Sequence, residues 1–378
     1  MTSATPDITV PAELLPSDGR FASGPSKVPA EAVEALAAQA ETYLGTSHRH
    51  ATVRFVVGGL RNGLAELLRL PDGWEILVGV GGTTCFWDMA AFGLIERRSQ
   101  HLSFGEFSAK FAGVVADAPF LDEPEVIESP YGTHPLPAPS PDVDAYALTH
   151  CETSTGVAMD LVRPAGTDGS SAPVLVDATS AAGGLRVDLE EVDVYYFAPQ
   201  KCLAADGGLW LAACSAAAIE RIERLTAERW VPPFLDLRIA LESSRKDQTY
   251  NTPGLATVFL AHQQVDWLCS SGGLEWAATR CDTSAERVYS WAEASEFASP
   301  FVADPAQRSH VVATIDLDDR VDADVVTDVL RRNGILDTDG YRKLERNQLR
   351  IALYPAIDPD DVSALCASID HVVTALTP

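Results

Sequence analysis

The chain has 378 residues and carries 28 basic against 54 acidic side chains, which gives a formal net charge of −26. So acidic a balance disfavours nucleic acid and anionic membranes as partners, and no apolar run approaches the ~20 residues that a membrane span needs. The N-terminus lacks the basic start and apolar core of a signal peptide, and the seven cysteines form no C-x-x-C pair. We therefore expect a cytoplasmic protein with reduced thiols.

Strand-like and helical segments alternate through the first two thirds of the chain, a pattern typical of an α/β domain with a mainly parallel sheet. Helices are predicted over residues 29–44 and from Thr83 onward. Strands are predicted at residues 76–80, 100–104, 145–149, 173–177, 192–197 and 209–213. Because α/β sheets bind ligands beyond the carboxyl ends of their strands, the residues that follow these segments are the first candidates for a site.

After an apolar helix near residues 257–268 the order of elements changes. Strands at 310–317 and 348–353 are then interleaved with helices at 323–332 and 361–376, which favours a smaller α+β domain with helices on one face of an antiparallel sheet. The length of the chain also favours two domains. We therefore predict an N-terminal arm (residues 1–20), a large α/β domain (21–265) and a small C-terminal α+β domain (266–378).

Lys201 is the most informative single residue, because it follows the apolar strand at 192–197 and is one of only five lysines. A lysine in that position is partly desolvated, which lowers its pKa and frees its amine to form a Schiff base. Asp177 ends another apolar strand. The pair suits the two ends of a pyridoxal 5′-phosphate (PLP) ring, with lysine on the aldehyde carbon and carboxylate on the pyridinium nitrogen. A helix-capping aspartate and an unrelated surface lysine would give the same pattern.

Three further candidates follow predicted strands. The segment Gly79-Val-Gly-Gly-Thr-Thr84 joins a strand to a helix, where backbone N–H groups and the helix N-terminus attract phosphate. A plain turn has the same composition, and the segment fails the dinucleotide pattern G-x-G-x-x-G. Phe107 could lie flat on a heterocycle or pack in the core. Thr153 could bond a ring hydroxyl or belong to an ordinary turn.

Cationic side chains gather in two short segments of this acidic chain, Ser47-His-Arg-His50 and residues 341–350. Arginine binds carboxylates and phosphates in bidentate fashion, so both segments are candidate substrate anchors, with a solvated charged loop as the alternative. His48 and His50 lack the accompanying cysteine, histidine or carboxylate ligands of a metal centre, so we predict no metal site.

Seven short motifs occur in order along the chain. They are Phe21-Ala-Ser-Gly-Pro-Ser26, Gly45-Thr-Ser-His-Arg49, Gly81-Gly-Thr-Thr84, His150-Cys-Glu-Thr153, Asp177-Ala-Thr-Ser180, Ala198-Pro-Gln-Lys201 and Tyr250-Asn-Thr-Pro253. Together they resemble the phosphoserine aminotransferases, a family of fold-type I PLP-dependent transferases, and their order resembles its actinobacterial-type branch. The resemblance runs from about Phe21 to the C-terminus. It implies transamination between L-glutamate and 3-phosphohydroxypyruvate, giving O-phospho-L-serine and 2-oxoglutarate.

The resemblance also implies roles for individual residues. Lys201 would hold PLP, Asp177 would pair with the ring nitrogen, Phe107 would stack on the ring and Thr153 would contact the ring hydroxyl. The cofactor phosphate would be bound by Gly82, Thr83 and Gln200, and by Asn251 and Thr252 from the other subunit of a homodimer with shared sites. The substrate would be held by Ser23, His48, Arg49, Arg342 and Arg350.

Two positions depart from the family pattern. Many relatives carry an arginine where Thr83 stands and a histidine where Tyr341 stands, and both bind anions there, which makes Lys343 or Arg346 a possible substitute. An alanine–glyoxylate type aminotransferase would share the cofactor residues without a phosphate pocket. A cysteine desulfurase would need a reactive cysteine, yet Cys269 and Cys366 fall in helical patterns. A non-catalytic PLP-binding or scaffold protein is the third alternative.

Overall fold

The computed structural model describes residues 6–169 and 171–377, so the first five residues of the predicted N-terminal arm lie outside the described part. The strands in chain order are β1 (Glu75–Val80), β2 (Ser99–Ser103), β3 (Glu125–Glu128), β4 (Ala145–Thr149), β5 (Cys151–Glu152), β6 (Val157–Ala158), β7 (Val174–Asp177), β8 (Val194–Phe197), β9 (Leu209–Cys214), β10 (Ala298–Pro300), β11 (Val312–Leu317) and β12 (Gln348–Ala352). The helices are α1 (Ala30–Tyr43), α2 (Ala51–Leu67), α3 (Gly82–Gly93), α4 (Glu106–Ala116), α5 (Ala216–Glu228), α6 (Leu237–Ser244), α7 (Leu255–Ser271), α8 (Gly273–Ala294), α9 (Ala323–Arg332) and α10 (Pro359–Leu376).

Seven strands form the larger sheet, in the order β1-β9-β8-β7-β4-β2-β3. The pairs from β8 to β3 are parallel, whereas β9 runs antiparallel to both of its neighbours. Because β1 and β8 both oppose β9, they point the same way, and the carboxyl end of β1 reaches the same edge as those of β7 and β8. The predicted α/β fold with a mainly parallel sheet is confirmed.

Helices cover both faces of this sheet. Along β8, Tyr195 and Phe197 face a core shared with α2 and α7, while Val194 and Tyr196 face a second core shared with α3, α5 and α6. A strand that is apolar on both sides is typical of a sheet buried between two helical layers. Gly79 of β1 lies opposite Trp210 of β9, and a Cβ on Gly79 would stand 2.2 Å from the indole, so only glycine leaves room for the tryptophan.

A second, antiparallel sheet has the order β10-β11-β12. Helices α8 and α9 contact β11 and β12 respectively, and α10 packs on both helices. Residue 265, where the sequence places the domain boundary, lies within the continuous helix α7, as it also lies within the helix predicted at 257–268. None of the helices in the described residues combines the length and apolar character that crossing a membrane requires.

Candidate active site

Seven residues predicted to bind a cofactor line one cavity of about 420 Å³ at the carboxyl edge of the larger sheet. They are Gly82, Thr83, Phe107, Thr153, Asp177, Gln200 and Lys201. They meet there because each follows or ends one of the strands that point to this edge, or begins the helix that follows it. A cavity of about 490 Å³ beside Asp18 and Lys27 is larger, but it holds no strand-end residue. Chemistry rather than volume therefore selects the site.

Lys201 is buried, with 7% of its surface exposed. Its Nζ donates to Thr153 Oγ1 at 2.9 Å and to Ser180 Oγ at 3.4 Å, and it lies 5.5 Å from the centre of the Phe107 ring. Burial, and then the positive charge of Arg350, lower the pKa of this lysine to about 8. A substantial fraction of the amine is therefore neutral near physiological pH, which is the form that attacks a carbonyl.

Asp177 ends β7 beside Tyr196 of β8. Its Oδ1 accepts from Thr179 N at 2.9 Å, and its Oδ2 accepts from Trp87 Nε1 at 3.2 Å. Burial raises the pKa of Asp177, while the hydrogen bonds from Thr179 and Trp87 oppose that rise. A cation placed against this carboxyl would favour its ionised form. Sequence reasoning missed Trp87, Thr179 and Ser180, although Trp87 lies one helical turn after Thr83 and so faces the same side of α3.

The N-terminus of α3 opens onto the cavity. Gly81 and Gly82 have φ values of +119° and +72°, which glycine adopts without strain. Gly81 N donates to Gly208 O at 3.0 Å across the β1–β9 pair, so the turn is tied down while the N–H groups that follow it stay available. Gln200 adds a buried Oε1 atom that has no partner among the described residues. Helix N-termini with free N–H groups bind phosphate.

The predicted substrate residues lie apart from this cavity lining. Arg350, on β12, contacts a residue of the cavity lining, because its Nη1 donates to Thr153 O at 3.5 Å. Its Nε is buried without a partner in the described chain. Burial lowers the pKa of its guanidinium. Tyr341 links the two regions, with its ring 5.1 Å from the Arg350 guanidinium and 6.1 Å from the Phe107 ring. Arg342 is exposed in a short 3₁₀ turn.

The other predicted substrate residues, and Asn251 and Thr252 assigned to the neighbouring subunit, also lie outside the cavity lining. His48 is buried and its Nδ1 lies 3.1 Å from Thr252 Oγ1, whereas Arg49 and Asn251 are exposed. Burial, and then Arg49, lower the pKa of His48. Ser23 is buried and its carbonyl accepts from Tyr354 OH at 2.7 Å. Within one chain, the structure thus brings together the cofactor residues of the large sheet but not the substrate residues.

Both possible substitutes for the missing family cations already have acidic partners. Lys343 forms an ion pair with Glu106, which also binds Lys110 at 3.1 Å. Arg346 pairs with Asp316 and lies 4.5 Å over the Phe301 ring. Either cation would have to leave its carboxylate, or share it, to bind an anion. Cys269 and Cys366 lie in α7 and α10, so neither stands on a mobile loop as a desulfurase mechanism would need.

The cavity fits PLP at both ends and on one face. Lys201 supplies an amine with a lowered pKa, Asp177 supplies a buried carboxyl that forms no ion pair among the described residues, and the α3 N-terminus supplies an anion site. The ring aldehyde, the ring nitrogen and the phosphate require these three features in turn. Phe107 lies in the cavity wall beside Lys201. The pattern of donors and acceptors therefore matches the cofactor that the motifs imply.

Known proteins resemble this chain in sequence and in fold. Residues 138–365 match the family model for aminotransferase class-V. A putative phosphoserine aminotransferase of Mycolicibacterium vanbaalenii is 56% identical over 372 residues, covering 98% of this chain and 99% of that protein. A phosphoserine aminotransferase of Nocardioides sp. is 56% identical over 373 residues, covering 98% and 100%. A solved phosphoserine aminotransferase from Cytophaga hutchinsonii superposes with a TM-score of 0.83 at 24% identity, covering 93% and 97% of the two chains; this last likeness concerns the fold.

Proposed function

We propose that this chain, which belongs to the class-V aminotransferase family and within it to the phosphoserine aminotransferases, is a PLP-dependent enzyme of serine biosynthesis. It would transfer the amino group of L-glutamate to 3-phosphohydroxypyruvate, giving O-phospho-L-serine and 2-oxoglutarate. The observation that carries the proposal is the buried Lys201, with a pKa lowered to about 8, in the same cavity as Asp177. Identity of 56% over nearly the whole chain supports the choice of substrates.

PLP, when bound, supplies an electron sink for the charge that develops at the substrate Cα. Lys201 would hold the cofactor between turnovers and act as the base that takes the proton from the substrate Cα. Asp177 would pair with the ring nitrogen and keep it protonated. Thr153, which already accepts a hydrogen bond from Lys201 Nζ at 2.9 Å, holds the amine at the side of the cavity where the ring hydroxyl would lie.

The remaining contacts divide between phosphate and substrate. Gly82, Thr83 and Gln200 would bind the cofactor phosphate at the start of α3. Arg350 would receive the substrate carboxylate, since its guanidinium is partly buried and one of its donors has no partner in the described chain. Ser23, His48, Arg49 and Arg342 would complete the substrate site.

A homodimer with shared sites would explain why part of the predicted set lies elsewhere in the chain. Asn251 and Thr252 are exposed and do not line the cavity that contains Lys201. Supplied by a second subunit, they would reach the cofactor phosphate of the first. We also propose that the protein is cytoplasmic. The chain would divide into an N-terminal arm (residues 1–20), a large domain (21–265) and a small domain (266–378).

A substrate comparison tests the proposed function. Protein purified with PLP should show the absorption band of bound cofactor, and glutamate alone should change that band, because each half of a ping-pong reaction runs separately. The keto acids to compare are 3-phosphohydroxypyruvate, unphosphorylated hydroxypyruvate, glyoxylate, and a related phosphorylated keto acid of the vitamin B6 route. The expected order puts 3-phosphohydroxypyruvate first. Faster amination of glyoxylate would assign the alanine–glyoxylate type instead, and a protein that cannot be loaded with PLP would overturn the proposal.

A further inference from the structure

We propose that Glu152 is a positioning residue that fixes the ring partner Phe107 and the lysine partner Thr153 in one rigid unit. The inference rests on the proposed PLP-dependent function. Glu152 ends β5 and is fully buried, yet it does not line the cavity and forms no ion pair among the described residues. A buried carboxylate without a paired cation is costly unless hydrogen bonds satisfy both oxygens.

Both oxygens are satisfied by groups next to the cavity. Oε2 accepts from Phe107 N at 3.0 Å, from Ser108 N at 2.9 Å and from Ser108 Oγ at 3.0 Å. Oε1 accepts from Ser154 N at 3.1 Å and from Ser154 Oγ at 2.6 Å. The N–H groups of Phe107 and Ser108 belong to the first turn of α4, where the helix itself provides no backbone acceptors. One carboxylate therefore joins the start of α4 to the segment that follows β5.

The joined segments carry the two residues that flank Lys201. Phe107 lies 5.5 Å from Lys201 Nζ on one side, and Thr153, the residue directly after Glu152, accepts from Nζ at 2.9 Å. Ser154 Oγ adds a second tie, since it accepts from Glu106 N at 3.0 Å. A shift of the Glu152 carboxylate would therefore move Phe107, in the cavity wall, and Thr153, the hydrogen-bond partner of Lys201, together.

Gly105 is part of the same arrangement. A Cβ on Gly105 would stand 2.2 Å from Glu152 Cγ and 2.4 Å from Cδ. Its φ of 179° is ordinary extended backbone, so the close approach of the glutamate, and not backbone strain, is what requires glycine here. Gly105→Ala would therefore displace the carboxylate without changing its charge, which gives a second and independent way to disturb the unit.

The test compares Glu152→Gln and Gly105→Ala with Asp193→Asn as a control, a carboxylate that, unlike Glu152, also pairs with Arg163 at 2.8 Å. Asp193 is also buried and accepts from a backbone N–H, that of Val174, at 2.9 Å, but it precedes β8 and so lies at the opposite edge of the sheet. The amide of Glu152→Gln puts an N–H group where a carboxylate oxygen received donors, and a buried donor left unmatched costs enough to change an equilibrium constant about tenfold or more. The quantities to measure are the PLP dissociation constant, the visible circular dichroism of bound PLP, the thermal midpoint of unfolding, and kcat and KM for glutamate.

The expected result is that Glu152→Gln and Gly105→Ala weaken PLP binding about tenfold or more, reduce the dichroism band and lower kcat more than they raise KM. Asp193→Asn is expected to lower the thermal midpoint while leaving PLP binding and the band unchanged. If all three variants lose stability and cofactor affinity alike, Glu152 is merely structural and the inference is wrong. Wild-type binding and spectra in both site variants would also overturn it. A wild-type protein that binds no PLP would instead overturn the proposed function.

Discussion

The two ends of the candidate site are built differently. At the cofactor end, Lys201, Asp177 and Thr153 are buried and bonded to one another or to their neighbours within one chain. These three side chains are therefore held in place within one chain before any ligand arrives. At the substrate end, Arg350 is partly buried with an Nε that has no partner in the described chain, Arg342 is exposed, and Lys343 and Arg346 are already paired with acids. An anion there would find a buried donor without a partner at Arg350 and would have to compete with a carboxylate at Lys343 or Arg346.

The difference has a physical cause in the topology. Parallel strands end at one edge, so the sheet itself gathers strand-end residues and holds them rigidly. The substrate cations lie on β12, on a 3₁₀ turn and near the start of α2, which belong to other layers of the molecule. Substitutions among such residues can therefore alter recognition of a charged substrate without moving the residues that carry the chemistry.

The largest effect at the cofactor end is expected from Lys201→Ala. Without the amine there is no covalent holder for PLP and no base at the substrate Cα, so turnover with glutamate should fall to background. The absorption band of bound PLP should also change, and the thermal midpoint should hold, because a methyl group is easily accommodated beside Phe107. Measurable turnover at more than about a thousandth of wild type would separate Lys201 from the chemistry.

Asp177→Asn should come next. The amide keeps the shape of the carboxyl but cannot carry the negative charge that favours a protonated ring nitrogen. We expect kcat to fall about 10²–10³-fold while PLP still binds, since the α3 N-terminus and Lys201 are untouched. Single-turnover kinetics with glutamate measure the chemical step directly. An unchanged rate would mean that the carboxyl is not opposite the ring nitrogen.

Arg350→Lys tests the substrate end. Arg350 loses its planar, two-pronged donor set, so KM for both glutamate and the keto acid should rise roughly 10-fold or more, because both substrates carry an α-carboxylate. The PLP dissociation constant should stay the same. Arg331→Lys is the matched control, since Arg331 pairs with Asp337 and Asp339 on the surface. Equal KM values in the two variants would remove Arg350 from the substrate site.

The pH dependence of cofactor capture gives a smaller effect at the cofactor end. Burial and Arg350 lower the pKa of Lys201 from 10.5 to about 8, and only the neutral amine attacks the aldehyde. Below pH 8 the capture rate of the cofactor-free protein should fall about tenfold per pH unit, and above pH 8 it should level off. Stopped-flow absorbance measures the rate, with free lysine as reference. A rate that keeps rising to pH 10 would contradict the desolvated amine.

The sequence predicted the cofactor end far better than the substrate end. Strands β7 and β8 are short apolar runs, and Asp177 at the end of the first and Lys201 after the second were identified from those positions. Helix α2 was missed because its glycines lower helix propensity. The structure shows their use, since a Cβ on Gly59 or Gly63 would stand 2.6 Å from the His262 ring or the Val265 side chain of α7. The close packing of α2 against α7 therefore outweighs the low helix propensity of these glycines.

Contacts between distant segments were beyond sequence reasoning. Nothing local to Trp87 shows that its indole reaches Asp177, ninety residues later. Likewise, the sequence predicted no role for Glu152, which appears only within the motif His150-Cys-Glu-Thr153. Its hydrogen bonds to Phe107 and Ser108 depend on the way α4 lies against β5. Such pairs are set by tertiary packing, which short-range patterns do not encode.

Tyr341 joins the two ends and should show the smallest effect. The centre of its ring lies 5.1 Å from the Arg350 guanidinium and 6.1 Å from the centre of the Phe107 ring. A cation–π contact of about 0.5–1 kcal/mol corresponds to a change of about two- to fivefold, so Tyr341→Leu should raise KM for both substrates by that factor. Tyr341→Phe keeps the ring and should match wild type. If Tyr341→Phe is as impaired as Tyr341→Leu, the hydroxyl rather than the ring face acts on the substrate, and the aromatic link between the two ends is wrong.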